Sequence, residues 1–258
     1  MKADKVQAVV VNSGNANACT GIEGISDARK TCKLVAKRLG LRQRQVAICS
    51  TGVIGLPMPM MRIEPKIDGL VAGLDTNKGE DVARAIMTSD TCKKEIAVSL
   101  EIGGHRVRIG ACAKGAGMIC PSMATMLCFI TTDANVSAAC FQKSLLEAAD
   151  TSFNRITIDG DMSTNDTVIA LANGQSGMPP IKRNSKECRL FREALEYVML
   201  EMAKALVRDG ERVTKFVTVE VKGARTYLDA RKVAEAVANS ALVKSSWNGN
   251  DPNWGRII

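Results

Sequence analysis

Hydrophobic and polar positions alternate with two different periods along this chain, and the switches between them mark its elements. Val6 to Val11 is a β-branched run ending in the polar loop "NSGNANACTG", the pattern of a buried strand. Ser26 or Asp27 can then cap a helix whose apolar positions, Ala28, Cys32, Val35, Ala36 and Leu39, share one face, and Gly40 stops it. "QVAICSTGVIG" predicts a strand running into a glycine turn, and helices follow around Ile63 to Leu74 and from Glu80 to Met87. From Glu95 the period drops to two in "EIAVSLEIGGHRVRIGACAKG", with Gly103-Gly104 at the turn, which reads as a β-hairpin.

Downstream, Thr125 to Thr131 predicts a buried strand, Ser137 caps a helix to about Phe153, and "RITIDG" and Thr167 to Leu171 predict two more strands. The longest helix runs from Lys186 to Arg208, with Leu190, Ala194, Tyr197, Leu200 and Met202 roughly on one side. "TKFVTVEVKG" predicts a strand and Leu228 to Ala238 a helix. A clear antiparallel hairpin among these elements argues against a purely alternating doubly wound sheet. It predicts an α+β fold of layered helices on mixed or antiparallel sheets. "GQSGMPPIKRNSKE" is the best internal linker, although no shift of composition marks a firm boundary.

At 258 residues the chain is long enough to bury a substantial core, and 46% hydrophobic with 24% charged residues is a globular balance. No apolar run has bilayer-spanning length, and "MKADKVQAVVVNSG" lacks the long apolar region of a signal peptide, so a cytoplasmic protein without membrane partners is the default. The nine cysteines are odd in number and irregularly spaced, with no CxxC pair and a single histidine. That argues against a zinc site and a secreted disulfide framework, and suggests mostly small buried hydrophobes. A net charge of +8 raises nucleic-acid binding. The basic residues are scattered, however, and aromatics are only 3%, so a solvated basic surface or attraction for acidic substrates is the better account.

Without a usable histidine (His105 sits beside a hairpin turn), a hydroxyl nucleophile must find its base elsewhere. An N-terminal threonine supplies its own α-amine, which titrates near neutral pH. An internal threonine gains that amine only when the preceding peptide bond breaks. "KGAGMICPSMATMLCFITTDAN" suits such a cut between Ala124 and Thr125, because Gly115 and Gly117 allow a tight bend and Ala124 leaves the carbonyl uncrowded. On spacing alone, a small-residue turn entering a strand is the better account of the segment.

The same segment closely resembles the self-processing stretch of the ornithine acetyltransferase family, the bifunctional glutamate N-acetyltransferases of arginine biosynthesis. Supporting motifs stand in order: "VVVNSGNANACTG", "CSTGVIG", "TIDGDMSTNDT", "LVRDGE", "TKF" and "NDPNWGRI". The resemblance implies cleavage between Ala124 and Thr125, Thr125 as nucleophile, Thr51 and Gly52 as the oxyanion site, and Thr91, Lys114, Thr125 and Glu211 as substrate-binding residues. The bland alternatives are an ordinary turn at Thr51-Gly52, a helix-exit Thr91, an exposed Lys114 and a solvated Glu211. Asp159 to Asp166 matches the family in a supporting role.

The implied chemistry passes acetyl from N-acetylornithine through Thr125 to glutamate, with acetyl-CoA a possible further donor and no metal or organic cofactor required. The implied fold is DmpA-like, resembling N-terminal-nucleophile hydrolases in layers. Its α piece, residues 1–124, and β piece, residues 125–258, stay together and assemble as α2β2. Family members carry further sequence at both ends, including a C-terminal asparagine and threonine of the site, so the chain reads as truncated and Arg212 stands where the family has a small residue. An inactive remnant serving as a binding or assembly piece, and an N-terminal-nucleophile amidase, are the rival readings.

Overall fold

Strand β1 (Ala8–Asn15) leads through a polar loop into α1 (Gly21–Leu39) and back to β2 (Val46–Val53), which pairs parallel to β1 with Val10 opposite Ile48 and Gly14 opposite Gly52. The structure, a computed structural model, describes residues 5–120 and 126–258. Helix α1 turns Thr31, Cys32, Val35 and Ala36 inward, as its apolar spacing predicts, and Gly40 closes it in the left-handed conformation at φ 67°. It begins at Gly21, earlier than a cap at Ser26 or Asp27 would place it. The extra turn packs Gly24 against Thr20, where a Cβ would stand 1.8 Å from the Thr20 hydroxyl, a fit that periodicity does not encode.

The helix predicted from Ile63 to Leu74 is broken into α2 (Met60–Ile63), a 3-10 turn carrying Pro65, and α3 (Ile67–Ala72). Val10, Cys32, Val35, Ala36, Val46 and Ile67 close the first core, and α4 (Gly79–Ala85) follows.

A second sheet carries the larger core. Its strand order is β3 (Lys94–Ile102), β4 (His105–Lys114), β5 (Leu127–Thr132) and β6 (Thr167–Ala172). The first two pairs are antiparallel and β5–β6 is parallel, so the sheet is mixed. Gly103 and Gly104 both take positive φ, 58° and 78°, as a two-residue hairpin turn requires. Helix α5 (Ala138–Thr151) is capped by Ser137, whose hydroxyl accepts from the Cys140 N–H, and α6 (Lys186–Arg208) is capped likewise by Ser185. Helix α6 lies across β3 and β4 and beside α5, with Phe141 and Phe191 edge to face at 5.7 Å. Helices α7 (Tyr227–Asn239) and α8 (Ala241–Asn248) close the described chain, α8 being absent from the sequence expectations. The architecture is α+β. Among the described residues no helix is long and apolar enough to cross a membrane.

Four expectations are corrected. "RITIDG" forms no strand: Ile158 N–H and the Thr157 hydroxyl both reach the carbonyl of distant Ile119, while Asp159 accepts from the main chain at Met118. "TKFVTVEVKG" joins no ladder among the described residues, leaving Phe216 and Val217 exposed. The stretch offered as a linker instead feeds Met178 and Ile181 into the larger core and bridges Val136 to Ile181. The buried face of α6 runs through Phe191, Leu195, Val198, Met199, Met202 and Leu206, rotated from the predicted one, so that Tyr197 is exposed. Of the nine cysteines, Cys32, Cys49, Cys128 and Cys140 are buried and all are free thiols.

Candidate active site

The ends of β2 and β4 converge. Thr51, near the end of β2, is 1% exposed, and Lys114, the last residue of β4, is 2% exposed. The Lys114 Nζ donates to Thr88 Oγ1 at 2.7 Å and to Thr51 Oγ1 at 3.3 Å. Burial holds the Lys114 ammonium below the ordinary lysine range, while Asp90 acts in the opposite sense. A hydroxyl that accepts from an ammonium keeps its own proton to donate, so Thr51 is set up as a polarised donor. An exposed lysine and an ordinary turn, the two bland readings, do not describe this pair.

Gly52 follows at φ 129°, and a Cβ there would stand 2.2 Å from the Gly14 carbonyl carbon. The main chains of β1 and β2 meet so closely at this rung that only glycine fits. The polar loop after β1 is tied to the same place. Ser50 Oγ donates to Asn12 Oδ1 at 2.6 Å, and Asn165 Nδ2 donates to the Ser50 carbonyl at 2.9 Å and to Asn17 Oδ1 at 2.8 Å.

Beneath Lys114 lies a buried charge cluster absent from the sequence-derived site. Lys94 Nζ donates to Asp90 Oδ1 at 2.6 Å and to Asp209, and all three side chains are nearly sealed from solvent. Asp90 also accepts from Gly115 N–H at 2.7 Å and Thr88 N–H at 3.0 Å. Burial alone would raise its carboxyl, but Gly115, Lys94 and Thr88 together hold it below the usual range. The Asp209 carboxyl is likewise lowered, because Lys94 and Thr91 outweigh burial.

Thr91 is thereby placed. Its hydroxyl donates to Asp209 Oδ1, and its N–H lies 3.0 Å from Oδ2. Two residues beyond Asp209, the Glu211 N–H donates to the Ala116 carbonyl at 2.7 Å, and its carboxylate lies over Gly117, where a Cβ would come within 2.9 Å of Glu211 Cδ. Thr51, Gly52 and Lys114 therefore form one cluster. Thr91 and Glu211 join it through Asp209 and the glycine loop that follows β4. The missed residues, Thr88, Asp90, Lys94 and Asp209, stand in polar stretches of the chain, and the signal available was Asp209 itself, inside the motif "LVRDGE".

Ala124 and Thr125 lie outside the described residues, but both flanks of that stretch are held by one acidic loop. Asp159 accepts from Met118 N–H at 2.5 Å and Ile119 N–H at 2.9 Å. Asp166 Oδ1 accepts from Met126 N–H at 2.8 Å. Among the described residues no group of three or more histidine, cysteine, aspartate or glutamate side chains is arranged to hold a metal ion.

The chain matches the family model described as "ArgJ family" over residues 1–258. It is 54% identical over 254 residues to the arginine biosynthesis bifunctional protein ArgJ of Symbiobacterium thermophilum, covering 98% of this chain and 63% of that one. To the Geobacter sulfurreducens protein of the same name it is 54% identical over 252 residues, covering 98% and 64%. The chain thus spans a little under two thirds of the length of these relatives. Among solved structures, the Bacillus halodurans arginine biosynthesis bifunctional protein ArgJ aligns with TM-score 0.48 and 41% identity, over 50% of this chain and 60% of that one. The Mycobacterium tuberculosis ornithine acetyltransferase complexed with ornithine aligns with TM-score 0.37 and 34% identity, over 44% and 61%.

Proposed function

Since the chain belongs to the ArgJ family, we propose that it contributes the acetyl-transfer centre of an arginine-biosynthesis acetyltransferase. In this reading Thr125 is freed by cleavage after Ala124, takes acetyl from N-acetylornithine and passes it to glutamate. The observation that carries the reading is the buried contact of Lys114 with Thr51 beside the obligatory Gly52.

The chemistry follows in balanced steps. The α-amine of Thr125 takes the hydroxyl proton as Oγ attacks the acetyl carbonyl, giving a tetrahedral oxyanion. A donor already polarised, such as the Thr51 hydroxyl, stabilises that charge without reorganising. Collapse breaks the bond to nitrogen, the ammonium returns its proton to the leaving amine, and ornithine departs. The neutral amino group of glutamate then attacks the acetyl ester and gives a proton to the α-amine; collapse breaks the bond to Oγ, which takes that proton back, so Thr125 is regenerated as N-acetylglutamate leaves. Lys114 supplies positive charge for a substrate α-carboxylate, Glu211 accepts the distal ammonium of ornithine, and Thr91 helps form that end of the site. Acetyl-CoA would serve the same acetyl-enzyme as an alternative donor. The pieces 1–124 and 125–258 stay associated, pairing further as α2β2 in the cytoplasm.

The test is the denatured mass of the purified chain beside Thr125→Ala, followed by incubation with N-acetylornithine. Two fragments meeting at Ala124-Thr125, absent from the variant, and an acetyl adduct on Thr125 are expected. Acetyl recovered as N-acetylglutamate identifies a transferase, and acetyl lost to water an amidase. A chain that stays whole under all conditions would overturn the reading.

A further inference from the structure

One loop supplies carboxylates to both flanks of the cleavage segment, and the two are not equivalent. Asp159 spends its oxygens on Met118, Ile119 and Asp161 N–H groups. Asp166 Oδ1 accepts from Met126 N–H, whereas its Oδ2 is buried and has no partner within hydrogen-bond distance among the described residues. Buried acceptors are rarely left orphaned, and a catalytic role is one of the reasons an exception is kept. We propose that Asp166 is a positioning residue for Thr125: it fixes the main chain at Met126, one peptide bond beyond the nucleophile, and switches the strength of that grip with its own protonation. The proposal rests on the reading of Thr125 as the nucleophile and uses only the peptide bond joining Thr125 to Met126.

The electrostatics agree with the geometry. Burial pushes the Asp166 carboxyl up to about 7, against the pull of Met126 N–H, Ser163 N–H and, from the end of β4, the Lys114 ammonium. Lys114 is the charged side chain acting on Asp166 from a neighbouring element. Near neutral pH the carboxyl therefore divides between two forms. The ionised form accepts more strongly from Met126 N–H than the neutral acid does. A carboxylate over this amide holds the chain entering β5 in one orientation, and protonation loosens it.

Cleavage reads this switch without interference, because the α-amine of Thr125 does not exist until the bond before it is cut. Chain made by cell-free translation at a series of pH values would be followed by denatured mass. The wild-type cleavage rate is expected to rise with a midpoint near 7. In Asp166→Asn that step should vanish and the rate at high pH fall about tenfold, the loss of one charged hydrogen bond. Asp166→Glu should restore a pH step. Asp159→Asn should slow cleavage while leaving the midpoint in place. An Asp166→Asn chain with the wild-type rate and profile would overturn the proposal.

A second measurement does not depend on cleavage or on that variant folding. In Thr125→Ala chain, the Asp166 carboxyl followed by carbon NMR should titrate near 7, with the Met126 amide shifting in step. A titration in the ordinary carboxylate range with an unmoved Met126 amide would overturn it. If wild-type chain forms neither fragments nor acetyl-Thr125, the nucleophile reading fails and this proposal falls with it. If it forms both while Asp166→Asn behaves as wild type, only this proposal falls.

Discussion

Gly52 shows how a single missing carbon can hold a site together. Its φ of 129° and the Gly14 carbonyl carbon 2.2 Å from where a Cβ would stand mean that any side chain must part β1 from β2. Gly52→Ala is expected to destabilise the chain by about 2–4 kcal/mol, combining backbone strain with a clash that has only main chain to yield. Urea unfolding checks it. Asp166 makes a different residue-scale claim. Its carboxyl sits at about 7 when folded against 3.8 for an unperturbed one, so the folded state binds the proton more tightly. Stability should therefore fall as pH rises from about 4 to about 7 and level off beyond. Asp166→Asn should flatten that fall, seen as a smaller difference between urea midpoints at pH 5 and pH 8. Thr51, Gly52 and Lys114 were singled out in the sequence because they sit in short motifs that resemble a family's, and the structure brings them together. Thr88, Asp90, Lys94 and Asp209 were not, since their meaning lies in contacts across as many as 118 positions.

Between elements, Lys94 is the joint. It opens β3 while binding Asp90 from the preceding loop and Asp209 at the end of α6. Replacing it by an apolar residue leaves two carboxylates buried without their cation. Lys94→Met should cost about 3–5 kcal/mol and disorder the Thr88–Thr91 turn, whereas exposed Lys30→Met, whose partner Glu64 is solvated, should cost under about 1 kcal/mol. Paired urea titrations would separate the two. The capped helices were readable at this scale, as Ser137 illustrates, because a cap is a local bond between a side chain and an N–H three residues on. The buried face of α6 was misjudged by about one position, because both candidate faces are apolar and only the shape of β3, β4 and α5 chooses between them. "RITIDG" failed for a similar reason: β-branched residues suit a strand, but here the neighbouring carbonyl and amides are met one at a time.

At the scale of the molecule, two cores lie side by side, one under each sheet. The α+β class was evident from the hairpin, but the division into two sheets was not, since nothing in a single strand states which neighbour it will choose. The segment predicted as a strand near Phe216 makes the point. Its alternation is sound, yet no described strand presents an edge to it. Its amides from 214 to 222 are expected to exchange within the dead time of a hydrogen-exchange experiment on this chain, while those of β4 and β5 persist. Protection across 214–222 would mean that it finds a partner strand in solution.

Lys114 and Leu127 face each other as partners on adjacent strands. The described residues between them, 115–120 and Met126, belong to no strand, so the ladder from Ile109–Thr132 to Lys114–Leu127 is complete without them. Covalent continuity there serves to bring β5 to its place between β4 and β6, much as centring supports an arch until the stones bear on one another. Once the sheet has closed, its rungs hold β4 to β5 without help from the chain that joins them.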